Sequence, residues 1–417
     1  HRGIAALDLL RALRSSRLAQ RSLSISVQLP MAVSSDGTLT VPDIGVYLDH
    51  LEREIDMLAC HLGTTQRVEQ FHLAGGLPGA AELNRLMEHL QRRFNFQPDD
   101  GGDHCVDIDL PHSSWATMGM LRQLGFNHVS IGVPDINPLN GEAQVDFQSP
   151  QRTRSLIDAA RTLDFYSVNI DLGYGRAWQT TSSFARKVAA IIELQPSRVR
   201  IFDYAHPPRR YSALQRLVTS GFAAQADKWA MRQQAVEQLL TAGYGYIGLG
   251  QFALPDDELA VAQENGQLHY NCQGFSRHGP CDHLGLGLAA SSQIDDLHVH
   301  NVSDLQRYQQ QLAIGQLALS RGLRCNADEQ LLRAVSEQLL CNFKLDFAAL
   351  EARFGVAMRV YFSDAWPRLE QMDRDGLIIL TPDSIHVPAA GRLLVGAVCK
   401  ALEHGCEALR ERSLQHS

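Results

Sequence analysis

Several features of common protein classes are missing from this chain of 417 residues. No stretch contains the roughly 18 consecutive apolar residues that cross a bilayer, and no apolar segment with a cleavage site opens the sequence. Positive charge is also scarce, because 38 Lys and Arg residues face 46 Asp and Glu residues. Binding to nucleic-acid phosphates requires a basic surface. We therefore expect a cytoplasmic protein with no membrane span and no nucleic-acid partner.

The signatures of several ligand and catalytic sites are missing as well. The eight cysteines include no pair with two intervening residues, the spacing typical of zinc knuckles. No Gly-Lys-Ser/Thr run and no Gly-x-Gly-x-x-Gly motif follows a predicted strand, which excludes the common nucleotide-binding loops. Neither the Gly-x-Ser-x-Gly elbow nor His-Glu-x-x-His occurs, so two widespread hydrolase classes are excluded.

What the sequence does contain is a regular alternation of short apolar runs with amphipathic stretches. This alternation is typical of βα units and a mostly parallel sheet. Six or seven repeats fit a partial or complete (β/α) barrel better than a small doubly wound sheet. The predicted strands are 23–29, 69–74, 105–110, 128–133, 167–172, 199–204 and 244–249.

The rhythm of the sequence changes beyond Leu254, first to an irregular connection and then to helices. Near the end, two short apolar runs flank Thr381-Pro382-Asp383, which predicts a hairpin wing beside helices. We predict an α/β protein with four segments. They are an N-terminal helical segment (1–22), a βα barrel (23–254), a region that closes the barrel (255–320) and a helical, winged-helix-like domain (321–417).

Polar residues and glycines at the ends of the predicted strands are the first candidates for a site, because parallel barrels bind ligands at the carboxyl ends of their strands. These residues form the predicted pocket: Gly75, Gly76, Asp107, Asp171, Tyr204 and His206. Each acidic residue is equally well explained as the cap of the following helix. For the two glycines a tight turn is the favoured explanation.

A second candidate site is a short cluster of metal-ligating residue types. His278, Cys281 and His283 lie within the segment from Arg277 to Leu284. Such clusters bind metal ions or an axial position of haem. A solvated loop is the favoured interpretation of this segment, and ligation is the alternative.

Several longer motifs closely resemble one enzyme family. They are FALPDDELAVAQENGQLHYNCQG, CDHLGLGLAASS, EQLLCNFKLDF, LGFNHVSIGVPDIN, NIDLGYG and FDYAHPP. The resemblance is to oxygen-independent coproporphyrinogen III oxidase, a radical S-adenosylmethionine (SAM) enzyme of haem biosynthesis, and it extends from about Leu23 to Leu394. It implies a radical SAM barrel followed by a helical C-terminal domain.

The chain departs from this family where the family binds its iron-sulfur cluster. The resemblance implies a Cys-x3-Cys-x2-Cys motif after the first strand, whose thiolates hold a four-iron cluster that binds and cleaves SAM. Ala32, Asp36 and Leu39 stand at these three positions. An Ala and a Leu carry no ligating atom. We therefore expect neither a 4Fe-4S cluster nor SAM as a cofactor.

These departures lead to three hypotheses about function. The first is a cluster-less, non-radical protein that binds or carries a tetrapyrrole, either haem or a porphyrin, and is inactive as a radical enzyme. The second is a regulatory docking partner of a haem-biosynthesis enzyme. The third is the coproporphyrinogen III oxidase activity that the resemblance implies.

Overall fold

The structure is a computed structural model that describes residues 6–30, 32–33, 39–40, 43–98, 101–110, 113–133, 150–206 and 221–404. The chain divides into two compact units. The first comprises His1–Gly245, Gly250–Asp257 and Pro280–Leu323, and the second comprises Tyr246–Leu249, Glu258–Gly279 and Arg324–Ser417. The segment boundaries drawn from the sequence stay predictions.

The helices occupy the amphipathic stretches of the sequence. They are α1 (Ala6–Leu18), α2 (Ile44–Ala59), α3 (Ala80–Arg93), α4 (Trp115–Gln123), α5 (Pro150–Thr162), α6 (Thr181–Leu194), α7 (Gln225–Thr241), α8 (Glu258–Glu264), α9 (Leu305–Ala313), α10 (Ala327–Asn342), α11 (Phe347–Phe354), α12 (Met358–Tyr361) and α13 (Trp366–Arg374). Side-chain caps begin several of them, including the capping box of Thr180 and Ser183 at α6. Among the described helices, none is long and apolar enough to cross a membrane.

The strands include those predicted from the sequence and several more. They are β1 (Leu23–Gln28), β2 (Ala32–Val33), β3 (Leu39–Thr40), β4 (Arg67–Ala74), β5 (Asn95–Phe96), β6 (Asp103–Asp109), β7 (His128–Val133), β8 (Ser167–Tyr174), β9 (Arg198–Asp203), β10 (Gly245–Gly248), β11 (Gln251–Ala253), β12 (His269–Asn271), β13 (Gly274–Ser276), β14 (Asp282–Gly287), β15 (Ser291–Ile294), β16 (Leu297–Asn301), β17 (Leu319–Arg324), β18 (Lys344–Asp346), β19 (Ile379–Leu380) and β20 (Ser384–His386).

The first unit is built on one large sheet. Its strands lie in the order β11-β9-β8-β7-β6-β4-β1-β14-β15-β16-β17. The pairs from β9 to β14 are parallel, whereas β11, β15 and β16 pair with their neighbours in the antiparallel sense. In the described part of the chain the two ends of this sheet do not pair with each other. The predicted α/β fold is therefore confirmed, in the form of an open barrel.

The two faces of this sheet differ in polarity. Alternate residues such as Ile25, Phe71 and Val129 are almost completely buried on the face that packs against the helices. The residues between them point the opposite way, because side chains alternate along a strand. Register places Ser26, His72, Cys105, His128 and Ser167 in one row across this second face. We call it the polar face.

A fully buried carboxylate, Glu54 of α2, joins the helix to the far part of the sheet. The Gly287 amide and the Tyr308 hydroxyl donate to its Oε2 atom at 2.8 and 2.7 Å. The side-chain amide of Asn301 donates to Oε1 at 2.6 Å. Burial raises the pKa of Glu54 to about 7, although these three hydrogen bonds act in the opposite direction.

This raised pKa predicts a pH-dependent stability. The folded state binds the Glu54 proton more tightly than the unfolded state, whose glutamate has an ordinary pKa of 4.5. The contribution of Glu54 to the free energy of unfolding is therefore largest below pH 4.5. It decreases by about 3 kcal/mol in total as the pH rises to about 7. The measurement is urea unfolding across this pH range, and Glu54→Gln should remove this component. An unchanged pH profile in the variant would contradict the assignment.

The second unit contains a small antiparallel sheet beside helices. Its strand order is β18-β20-β19. A capping box formed by Asn326 and Glu329 begins α10. The hairpin of β19 and β20 encloses Thr381-Pro382-Asp383, as the sequence predicts. This arrangement confirms the predicted helical domain with a hairpin wing.

One part of the sequence interpretation is wrong. The segment from Arg277 to Leu284 was expected to form a solvated loop, but its second half enters β14, which pairs in parallel with β1. His283 is buried on this strand. The region predicted to close the barrel (255–320) thus supplies β14, which lies next to β1 in the sheet order.

Candidate functional site

The polar face brings a histidine, a cysteine and an aspartate together near the carboxyl ends of β4 and β6. His72 lies directly beside Cys105 in the register of these strands, and Asp107 follows Cys105 on the same face. The His72 Nε2 atom lies 3.0 Å from Oδ1 of Asp107. One donor atom from each of the three residues lies within 4.8 Å of the other two. The predicted residue Asp107 therefore belongs to a mixed nitrogen, sulfur and oxygen cluster.

A hydrogen-bonded amide network continues this face across β7 and β8. The side-chain amide of Asn169 donates to the Ser130 hydroxyl at 2.6 Å and to Asp171 at 2.7 Å. Its oxygen accepts from the side chain of Gln251 at 2.9 Å. Asp171, a predicted pocket residue, is buried. Because the amide orients this carboxylate, the network presents a fixed acidic group rather than a flexible one.

Cationic and aromatic groups meet just after β8 and β9. The guanidinium carbon of Arg176 lies 3.9 Å from the centre of the Tyr204 ring. Lys228, from the first turn of α7, lies 3.2 Å from the carboxylate of Asp203. Both cations are largely buried. The predicted residue Tyr204 thus serves as a platform for an arginine, which is the stacking geometry that favours Arg over Lys.

The other three predicted pocket residues occupy less specific places. Gly75 has a φ of +104°, and a Cβ atom there would lie 2.2 Å from the Leu29 carbonyl oxygen. This geometry supports the tight-turn interpretation of Gly75 and Gly76. His206 is exposed, and its backbone amide donates to Asp203 within a turn. A ligand role for these three residues stays a prediction.

The predicted cluster of His278, Cys281 and His283 is divided between the two units, with His278 in the second. The Cys281 thiol contacts Glu69 at 3.7 Å, and burial followed by the charge of Glu69 raises the pKa of this thiol to about 12. His283 lies between the hydroxyls of Ser24 and Ser26 at 3.1 and 3.2 Å. These contacts favour structural roles for Cys281 and His283, and metal ligation by the three residues stays a prediction.

The three positions of the family's cysteine motif lie after β1. Ala32 and Leu39 belong to β2 and β3, a pair of two-residue antiparallel strands. Asp36 lies outside the residues that the structure describes. Neither alanine nor leucine offers a donor atom to a metal.

Sequence reasoning missed several members of this face, namely His72, Cys105, Asn169, Arg176 and Gln251. The predicted pocket was drawn only from residues at the carboxyl ends of the strands. The signal that would have found His72, Cys105 and Asn169 is their position at alternate places inside otherwise apolar strands, where a polar residue needs a partner. Arg176 and Gln251 lie outside the predicted strand cores, and no local pattern marks them.

Comparison with solved structures defines the class of the fold. The chain matches coproporphyrinogen III oxidase (HemN) from Escherichia coli, described as a radical SAM enzyme, with a TM-score of 0.85 and 33% identity. The match covers 96% of this chain and 93% of that structure. The fold is therefore of the radical SAM type, with a parallel sheet and a helical C-terminal domain.

Comparison with curated proteins defines the family. The chain is 44% identical to oxygen-independent coproporphyrinogen III oxidase of Pseudomonas aeruginosa over 414 residues, covering 96% of this chain and 89% of that protein. It is 36% identical to the Escherichia coli enzyme over 360 residues, covering 86% and 78% of the two chains. A family model for the HemN C-terminal domain matches residues 325–394. The chain belongs to the oxygen-independent coproporphyrinogen III oxidase family.

These comparisons correct one expectation from the sequence. The interpretation as a non-radical tetrapyrrole carrier is wrong, because the relatives that match nearly the whole chain are enzymes. The similarity supports the oxidase alternative instead. It also supports the assignment of the family to haem biosynthesis.

Proposed function

We propose that this chain acts on coproporphyrinogen III in the oxygen-independent oxidation for which its relatives are named, with an electron acceptor other than dioxygen taking up the electrons removed from the substrate. The observation that carries this proposal is the 44% identity to such an enzyme over 96% of the chain. Family membership and fold alone do not carry an activity to every member.

The substrate class fits the charges at the carboxyl end of the sheet. Coproporphyrinogen III is a tetrapyrrole that carries carboxylate side chains and an extended apolar ring system. Arg176 and Lys228 supply cations after β8 and β9, and Tyr204 adds an aromatic surface beside them. Arginine binds carboxylates through two parallel hydrogen bonds. We assign to Arg176 and Lys228 the task of holding a substrate carboxylate at this end of the sheet.

The acidic and amide groups of the neighbouring strands would orient the pyrrole nitrogens. Asp171 is held by Asn169, which in turn accepts from Gln251. A carboxylate fixed in this way is an acceptor for a pyrrole N–H group. The amide network therefore supplies orientation, and the cationic pair supplies attachment.

The family's iron-sulfur cofactor does not fit the residues present at its usual position. A four-iron cluster with one open iron needs three protein ligands, which are predominantly thiolates. The side chains of Ala32 and Leu39 have no donor atom, and one aspartate cannot replace three thiolates. We infer that the iron-sulfur site is lost at these positions.

Turnover of coproporphyrinogen III tests the proposal directly. The purified chain is treated anaerobically with iron and sulfide, then incubated with SAM, a reductant and coproporphyrinogen III. The Pseudomonas aeruginosa relative serves as the positive control under the same conditions. We expect consumption of the substrate, followed by chromatography and mass spectrometry. Turnover by the relative together with none by this chain would overturn the proposed activity.

Replacement of Arg176 tests the substrate site separately from turnover. Arg176→Ala removes the cation over Tyr204, so we expect the affinity for coproporphyrinogen III to fall by about tenfold or more. Arg176→Lys should recover only part of this loss because lysine lacks the planar, stacking guanidinium. Binding is measured by quenching of intrinsic fluorescence under anaerobic conditions.

The matched control for this experiment is Arg186→Ala. Arg186 lies on the exposed side of α6 and donates to Ser182 at 3.0 Å, away from the polar face. Its replacement should leave the affinity unchanged. An equal loss of affinity in both variants would show that the effect is not specific to Arg176, and an unchanged affinity in Arg176→Ala would overturn the assignment.

A further inference from the structure

We propose that His72, Cys105 and Asp107 form a binding site for Zn²⁺ on the polar face of the sheet. This site is distinct from the three positions of the cysteine motif, and it is independent of the proposed substrate.

The backbone of two parallel strands creates the site. His72 of β4 and Cys105 of β6 are register partners, so their side chains leave the sheet next to each other. Asp107 follows two residues after Cys105 and points to the same face. Neighbouring parallel strands lie about 4.8 Å apart. All three donor residues lie on strands of the sheet and none lies on a loop, so the backbone that holds the site is rigid.

The separations of the donor atoms agree with a small tetrahedral ion. All three donors lie within 4.8 Å of one another, and the His72 Nε2 atom is already 3.0 Å from Asp107. Ligands of a tetrahedral zinc ion lie roughly 3.3 to 3.8 Å apart, given bond lengths of about 2.0 to 2.3 Å. Zinc would replace the hydrogen bond between His72 and Asp107 with a bond to each of them.

The donor set also selects the metal. The Cys105 thiolate is a soft ligand and the His72 imidazole a borderline one, and zinc accepts both together with a carboxylate, whereas Mg²⁺ and Ca²⁺ prefer sites made of oxygen ligands alone. Three protein ligands leave one position for water, as in catalytic rather than structural zinc sites. The side chains of His72 and Asp107 are 17% and 12% exposed. Both ligands are therefore largely shielded from bulk solvent.

The alternative explanation is that His72 and Asp107 form a hydrogen-bonded pair and that the Cys105 thiol beside them takes no part in metal binding. Metal titration separates the two. The purified chain is stripped with a chelator and titrated with Zn²⁺ against a chromophoric competitor, with no iron, sulfide or substrate present. We expect one tightly bound Zn²⁺ per chain. Titration with Co²⁺ should produce a thiolate charge-transfer band together with the visible bands of tetrahedral cobalt.

Three variants each remove one ligand, namely His72→Gln, Cys105→Ser and Asp107→Asn. We expect each to weaken zinc binding by at least about 100-fold, and Cys105→Ser to abolish the charge-transfer band. The control variant is Cys60→Ser, because Cys60 is an exposed thiol at the end of α2. It should retain both the affinity and the cobalt spectrum.

Thermal unfolding with and without Zn²⁺ guards against variants that simply fail to fold. Zinc should raise the melting temperature of the native chain and of Cys60→Ser, and should leave that of the three ligand variants unchanged. Absence of zinc binding by the native chain would overturn the proposal. So would equal binding by native chain and ligand variants, or loss of the cobalt band in Cys60→Ser. None of these results depends on turnover, so the proposed function is tested separately.

Discussion

Replacement of Glu54 by alanine is expected to destabilise the first unit by about 4 kcal/mol. The change removes the acceptor for three buried donors, namely the Gly287 amide, the Asn301 side chain and the Tyr308 hydroxyl. A buried donor without a partner costs about 1 to 3 kcal/mol. The expected loss is therefore large, and it should be visible as a lower midpoint in urea unfolding followed by circular dichroism.

Two further variants make this result specific. Glu52→Ala changes the same residue type on the same helix, but Glu52 makes a surface ion pair with Arg85 at 2.8 Å. Its loss should cost less than about 1 kcal/mol. Glu54→Gln retains one acceptor oxygen and should fall between the two alanine variants. Equal effects at positions 52 and 54 would contradict a special role for the buried carboxylate.

The apolar pattern of the sequence predicts the helix that contains Glu54, but it does not predict the hydrogen-bond partners of Glu54. The apolar spacing of Leu48, Leu51, Ile55 and Leu58 predicts α2 and the face that it buries. Glu54 lies on that same face, three residues after Leu51, so a charge interrupts the apolar stripe. This interruption signals a buried carboxylate that needs donors. The donors themselves come from residues more than two hundred positions away, which no local pattern identifies.

Strand β14 was not predicted from the sequence for a similar reason. The run from Asp282 to Gly287 contains two glycines and a histidine, which are poor indicators of a strand. Its place in the sheet explains the composition. A Cβ atom on Gly285 would lie 2.3 Å from the Ser291 carbonyl oxygen, so β14 and β15 can approach only if the residue is glycine. The requirement is tertiary, and local propensity therefore points the wrong way.

The sequence predicted where the candidate site lies, but it did not identify most of the residues that form it. The rule that parallel barrels bind ligands at their carboxyl ends led to Asp107, Asp171 and Tyr204, and all three lie at that end of the sheet. The partners of these residues depend on register. His72 meets Asp107 only because β4 and β6 are neighbours with this alignment. Sequence order alone contains no such information.

Restoring the cysteine motif is expected to change the metal content of the chain more than any other substitution. The variant replaces Ala32→Cys, Asp36→Cys and Leu39→Cys together. Three thiolates at this spacing provide the protein ligands that a four-iron cluster requires. After anaerobic treatment with iron and sulfide, we expect about four iron atoms per chain and the visible absorbance of a cluster. The native chain should show neither.

The matched control replaces the same three residues with serine. Serine is close to cysteine in size but offers no thiolate, so the serine variant should remain without iron. Cluster uptake by the native chain or by the serine variant would show that other residues hold the iron.

The cysteine variant also sharpens the test of the proposed function. Consumption of coproporphyrinogen III by the native chain would mean that the reaction proceeds without a cluster at these three positions. Consumption by the cysteine variant alone would overturn the activity proposed for the native chain. It would at the same time show that Arg176 and its neighbours still form a working substrate site. The substitutions at positions 32, 36 and 39 would then account for the whole difference in activity between this chain and its relatives.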